Sequence, residues 1–282
     1  MNYKELFSYL DREYAIIKDA KTLPLKTVFT GGDPAQYTNI LQGKDSEGYI
    51  AVKMIHVNEK SRRTVARILL QEPETEKILD LDGNLLTLWR TALNAAYAVR
   101  KTTTTDDNIL FIGGGRINMM TAYILSEIGY RRFRLIGGHD DADKNLFYFE
   151  DLTQVTFNRH FTIDETTVVI SCTNNNDLTK LYSAAQFPAC RVHVTSDTGY
   201  SLDSTFRRAA VDLYSDCPVH LFEHHHFEFP MDAKYHIFAG LHLLANDSQP
   251  KGIYLYGNII LDILAARNRE DIAYEYRGFT YM

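Results

Sequence analysis

The sequence predicts an α/β fold, on three observations. The apolar run Ile109 to Ile112 leads straight into Gly113, Gly114 and Gly115, and Ile117, Met120, Ile124 and Ile128 then recur at helical spacing. From that point on, apolar strand-like runs alternate with helical stretches, the pattern of a parallel sheet covered by helices. Ahead of it, strands and turns crowd residues 49–82, so an α+β part precedes the alternating one.

Taken in order, Tyr3, Leu6, Phe7, Leu10, Tyr14 and Ile17 fall near one face and predict a helix over residues 1–20, ended by Pro24. Residues 31–34, Gly-Gly-Asp-Pro, are a turn cluster. Residues 49–55 read as a strand with one charge, Lys53, in its apolar run. Such a lysine is either a guard on an edge strand or a buried anion anchor. Residues 64–70 and 77–81 pair as a hairpin around the acidic turn 72–76, and Asp82-Gly83 marks a further turn. Leu85 to Val99 reads as a helix carrying Arg90 near its start, where a cation opposes the helix dipole. Arg90 is therefore either an anion binder or a solvated arginine. The threonine-rich stretch 102–107 reads as a domain joint.

Beyond the glycines, strands are expected at 131–136, 167–172 and 190–196, with a short one at 219–222. Two helical segments are expected after Pro230, the second holding Ile259, Ile260, Ile263 and Leu264.

Strand, glycine turn and helix together give the glycines meaning. Gly113 and Gly115 match the first two positions of G-x-G-x-x-G, which permits a tight turn and close approach of a pyrophosphate. The following helix N-terminus offers unpaired N–H groups to phosphates. Asn118 stands where the third glycine belongs, and is expected to loosen the packing of helix on strand. The second strand of such a unit ends in an acid for the adenosine ribose. Here residues 137–140 read Gly-Gly-His-Asp; the acid arrives late, at Asp140 or Asp141, and His139 equally suits a 2′-phosphate. NAD and NADP both stay open.

Composition excludes several classes. A net charge of −6 over 282 residues gives no nucleic-acid footprint. Three scattered cysteines without C-x-x-C argue against a disulfide frame or zinc ribbon and suit a reducing cytoplasm. The first residues lack the apolar run of a signal peptide, and no stretch has the length of a membrane span. His224 and His226 share one side of any strand there, too few for a metal site, so none is expected.

Three stretches then join. Gly48-Tyr49 with Lys53-Met54, Leu86-Thr87 with Arg90-Thr91-Ala92, and Gly113-x-Gly115 occur in the order seen in the ornithine cyclodeaminase/mu-crystallin family, which the chain resembles over residues 48–265. Residues 195–203 look like that family's loop after a late strand, and Gly257 to Asp262 like its closing helix. The resemblance implies a Rossmann domain, residues 104–238, inserted into an α+β substrate-binding and dimerisation domain of residues 1–103 and 239–282. It also implies a homodimer, NAD or NADP as cofactor, and chemistry at the Cα–N bond of an amino acid through an imine. By position, Lys53 and Arg90 would hold the substrate carboxylate, with Lys26 in place of the family's first arginine, and Asp197 would be the acid/base. Thr91, Gly113, Gly115, Arg116, Ile117, Asn118, His139, Asp140, Thr173 and Asn174 would line the cofactor. The family's extra acid for a distal amine has no match here. Cyclodeaminase, amino-acid dehydrogenase and ketimine reductase are the subcases. The alternative is a non-catalytic dinucleotide- or small-ligand-binding protein on the same scaffold, with Asp197 merely capping a turn.

Overall fold

The computed structural model describes residues 1–16, 27–30, 36–58, 60–61, 63–75, 77–137, 150, 156–157, 160–172, 181–196, 201–217, 236–239 and 241–277. Helix α1 spans Tyr3–Ile16 and buries Tyr3, Leu6, Phe7, Leu10 and Tyr14, the face that the spacing predicts. Five strands follow: β1 Thr27–Thr30, β2 Gln36–Lys44, β3 Ile50–Asn58, β4 Arg63–Gln71 and β5 Ile78–Asp82. They form an antiparallel sheet in the order of the chain. The expected hairpin is β4–β5, with Ile68 opposite Leu81. Because β3 lies in the middle of this sheet, Lys53 is not an edge guard; it faces inward and is completely buried.

Helix α2, Asn84–Thr102, carries the chain to the second sheet. There β6 Ile109–Ile112, α3 Arg116–Glu127, β7 Phe133–Ile136, β8 Val168–Ser171, β9 Val192–Thr195, α4 Ser204–Ala209 and β10 Asp212–Ser215 alternate as expected. β11 His236–Ala239 and β12 Lys251–Tyr254 complete it, and helices α5 Ile259–Arg267 and α6 Arg269–Glu275 follow. The seven strands run parallel in the order β11-β10-β12-β9-β8-β6-β7. The chain order reverses beside β6, with β7 on one side and β8 on the other, which is the switch point where such sheets bind ligands at their carboxyl edge.

One expectation changes here, the domain boundary. The first helical segment expected after Pro230 falls partly outside the described residues; those described between Pro230 and α5 hold β11, a short 3-10 turn at 241–243, and β12. These are four-residue strands of a parallel sheet, too short to show a period. The parallel sheet also takes in β12, past the expected boundary at residue 238, so the chain leaves this sheet for α5 only after Tyr254. The strand expected at 219–222 lies outside the described residues.

One apolar core joins both sheets. It runs from α1 and the inner face of the antiparallel sheet through α2 and α5 to β6, β8 and β9. Every residue of α5 from Ile259 to Ala266 is buried, so this helix is enclosed all round. It packs on α2 and on β2, β3 and β4. That position brings the two halves of the candidate site together.

Candidate active site

The first half is the glycine turn. β6 is buried along its length and delivers Gly113 to the carboxyl edge of the sheet. Gly113 has φ +86°, a conformation glycine adopts without strain, and its amide donates to the Ile136 carbonyl at 2.8 Å. Gly115 forms the N-cap of α3 in extended backbone, with no side-chain cap. Gly115 and Arg116 are exposed and Ile117 is half-buried. Among the described residues, no heavy atom beyond its chain neighbours lies within 4 Å of a β-carbon built on Gly115. The turn is therefore an open cradle beneath an uncapped helix N-terminus, the arrangement that suits a phosphate.

Asn118 does not loosen this turn. Fully buried, its Nδ2 donates to the Ile112 and Gly113 carbonyls at 2.8 and 2.7 Å, so it ties the helix to the strand end that a glycine would merely approach. Its buried Oδ1 finds no hydrogen-bond partner among the described residues.

The second half is a buried charge cluster. Lys53 Nζ on β3 lies 2.5 Å from Asp262 Oδ1 on α5, both side chains being wholly buried. Arg90 Nε on α2 lies 3.1 Å from the same oxygen. One carboxylate oxygen thus faces two cations. The Arg90 guanidinium packs against Gly257: a β-carbon there would sit 1.7 Å from Nη1, and φ is +81°, so the position favours glycine.

Gly257 is held in turn by Asp216. That carboxylate accepts the amides of Tyr256 and Gly257 and the Asn94 Nδ2, each at 2.8 Å. Tyr14 donates to Asn94 Oδ1 at 2.8 Å and accepts from Asn258 Nδ2 at 3.3 Å. Asn258 caps α5 through Leu261 N. Burial raises the Asp216 pKa, against the two backbone N–H groups and the Arg90 charge, which lower it.

The two halves share one edge. Gly257 follows the carboxyl end of β12, and Leu255 N bonds to Thr195 O at the end of β9. Arg90 is therefore presented at the edge where Gly113 also stands. From β6 through β8 and β9 to β12 is three strand spacings, about 14 Å. Thr91 is half-buried and its hydroxyl donates to the Thr87 carbonyl at 2.8 Å.

Of the residues that the sequence singles out, Lys53, Arg90, Thr91, Gly113, Gly115, Arg116, Ile117 and Asn118 lie in these two halves. Lys26, His139, Asp140, Thr173, Asn174 and Asp197 lie outside the described residues, as do His224 and His226. Among the described residues no cluster of three metal-ligating side chains occurs. Asp262, Asp216, Asn94 and Gly257 are the members that the sequence reading did not assign. For Asp262 the signal is a lone carboxylate within the apolar run 259–266, the counterpart of lone Lys53 in its strand.

No protein-family model and no curated protein matches the sequence. Solved structures do match. A Delta(1)-pyrroline-2-carboxylate reductase from Thermococcus litoralis, in complex with NADH and L-proline, is 16% identical; the match covers 98% of this chain and 94% of that one, with a TM-score of 0.73. An archaeal alanine dehydrogenase dimer with bound NAD is 15% identical over 98% and 93%, with a TM-score of 0.75. A lysine cyclodeaminase is 17% identical over 98% and 87%, with a TM-score of 0.70. At these identities the likeness is one of fold: a parallel Rossmann-like sheet joined to an antiparallel sheet domain, the fold that the resemblance to ornithine cyclodeaminases implies.

Proposed function

We propose that the protein is a nicotinamide-dependent enzyme that acts at the Cα–N bond of an amino acid through an imine. The observation that carries this reading is the meeting of an open glycine cradle and a buried, orientated arginine on one carboxyl edge, in a fold shared with enzymes solved with NAD or NADH. The cradle fits a dinucleotide pyrophosphate: Gly113, Gly115 and the N–H groups of Arg116, Ile117 and Asn118 would hold it. A bound nicotinamide supplies hydride transfer to or from the substrate Cα.

The chain's own residues do the rest. Arg90 offers a planar fork to the α-carboxylate and fixes the face that Cα presents. Lys53, buried against Asp262, serves as a positioning residue that holds the Asp262–Arg90 contact, with Lys26 left as a further cation for the carboxylate. Asp197 follows β9 by two residues in sequence and is assigned the proton transfers: it accepts a proton from the substrate ammonium before oxidation and returns one on reduction. Thr91, one position beyond Arg90 on α2, and His139, Asp140, Thr173 and Asn174 complete the proposed cofactor set.

The protein is further proposed to work in the cytoplasm, where three scattered cysteines without C-x-x-C suit a reducing medium, and as a homodimer. By strand register, Phe29, Ile50, Met54, Val65 and Ile78 all project from the outer face of the antiparallel sheet, and all are exposed. An apolar face of this kind marks an interface. Light scattering of the whole chain tests it; a monomer at micromolar concentration excludes it.

The activity is tested by following nicotinamide absorbance with L-ornithine, L-lysine, L-alanine and cyclic ketimines. Hydride transfer with any of them, weakened in Asp197→Asn, supports the reading. The non-catalytic alternative draws on the same charge cluster, since Asp262 already occupies Lys53. Dinucleotide binding with no turnover on any of these compounds decides for it.

A further inference from the structure

The strand β7 ends without a carboxylate. Gly137 follows Ile136 directly, at φ +68°, and it stands 24 residues beyond Gly113, where a sheet of this kind places the acid for the adenosine ribose. A side chain from another crossover stands there instead. A β-carbon built on Gly137 would lie 2.8 Å from the Tyr182 hydroxyl and 3.8 Å from Cζ of the same ring.

Tyr182 is fixed in that place. Its amide donates to Ser201 O at 3.0 Å and its carbonyl accepts from Asp203 N at 2.9 Å, within a parallel bridge to Leu202. Its ring leans on Phe187, with centroids 6.2 Å apart, and packs with Ile136 against the cluster of Leu110, Ile112 and Val169. The residue stays half-exposed, and the hydroxyl has no hydrogen bond among the described residues. Partial burial raises its pKa, so the phenol is protonated and able to donate at neutral pH.

Resting on the dinucleotide reading above, we propose that the Tyr182 hydroxyl stands where the end of β7 carries no acid and hydrogen-bonds the 2′-OH of the adenosine ribose. A phenol carries no charge, so it does not repel a 2′-phosphate as a carboxylate does. The site therefore accepts NADPH as well as NADH, and Gly137 is glycine because the phenol fills the space of its side chain.

The test is a set of fluorescence titrations on the full chain with NADH, NADPH and the 2′-deoxyadenosine analogue of NADH. Wild type is expected to bind NADH about threefold to tenfold more tightly than the analogue, the range for one neutral hydrogen bond. Tyr182→Phe is expected to bind the two alike, with its thermal unfolding unchanged. Tyr182→Glu restores a carboxylate and is expected to keep NADH and reject NADPH. Tyr182→Phe affinities equal to wild type for every ligand overturn the proposal. So does an equal loss for NADH and the analogue, which is a packing effect, and so does undiminished NADPH binding in Tyr182→Glu. If wild type binds none of the three ligands, the dinucleotide reading itself falls; if wild type binds them and only the variants disagree, the Tyr182 assignment alone falls.

Discussion

Asp262→Asn removes one charge from the buried cluster with almost no change of shape. Asp262 Oδ1 meets Lys53 Nζ at 2.5 Å and Arg90 Nε at 3.1 Å, and neither Lys53 nor Asp262 touches solvent. With the carboxylate gone, Lys53 loses its 2.5 Å partner and lies beside the Arg90 charge where water does not screen it. Removing one partner of such a pair costs about 3–5 kcal/mol. For a chain of this size that is a fall in Tm of roughly 6–20 °C. Trp89, the single tryptophan, is buried one position before Arg90 on α2, so its fluorescence reports unfolding at the cluster itself. Urea midpoints are compared at fixed protein concentration, because self-association would shift them. The pair Lys53→Met with Asp262→Leu removes both charges and is expected to recover much of the loss, since apolar groups replace buried ion pairs at little cost. A loss below about 1 kcal/mol in Asp262→Asn would refute the reasoning, because a tight pair of fully buried charges cannot be broken so cheaply.

Further outcomes are expected elsewhere. Gly115 has φ −71° and open space at its β-carbon, so Gly115→Val should fold with unchanged Tm yet lose most of its NADH affinity; equal affinity in fluorescence titration removes the cradle. Arg90→Lys should weaken substrate-carboxylate binding by roughly tenfold or more once a substrate is known, because lysine lacks the planar fork; unchanged KM contradicts the role. His193 is buried against Phe206 and Tyr254, and burial, aided by the Arg207 charge, pushes its pKa down to about 3. Its unfolded form takes up a proton below about pH 6.5 while the folded form does not, so stability falls by up to about 1.4 kcal/mol per unit as pH drops from about 6.5 toward 3. Urea midpoints across that window should lose this slope in His193→Gln.

Much of the fold is legible in the sequence because several elements carry a strong local period. α1, α2 and α3 follow 3.6-residue spacing, and β6 and β8 are apolar runs next to polar turns. β12 is not legible, and the reason is physical. It opens with Lys251, whose buried amine pairs with Asp247 and with the Gln249 carbonyl at 3.0 Å. Gly252 follows, and it is glycine because a β-carbon there would come within 2.8 Å of the His193 ring. A charge and a glycine in four residues look like a turn. Only the neighbours β9 and β10, brought together by folding, make them a strand.

The candidate site divides in the same way. The glycine turn is local, so Gly113 to Asn118 can be read directly, although the spacing hides what Asn118 does. There a glycine would grant close approach; the asparagine bonds the two carbonyls that its own bulk would otherwise hold off. The charge cluster is not local. Lys53 and Asp262 stand 209 positions apart, and nothing in either neighbourhood names the other. Yet each breaks its own apolar element in the same manner, a cation inside a strand and a carboxylate inside a helix that is otherwise apolar from Ile259 to Ala266. Burying either one alone would cost several kcal/mol. Two lone opposite charges, each on an element that must be enclosed, therefore have to meet. Because Arg90 touches the same carboxylate oxygen, their meeting also fixes the arginine that faces the carboxyl edge of the sheet.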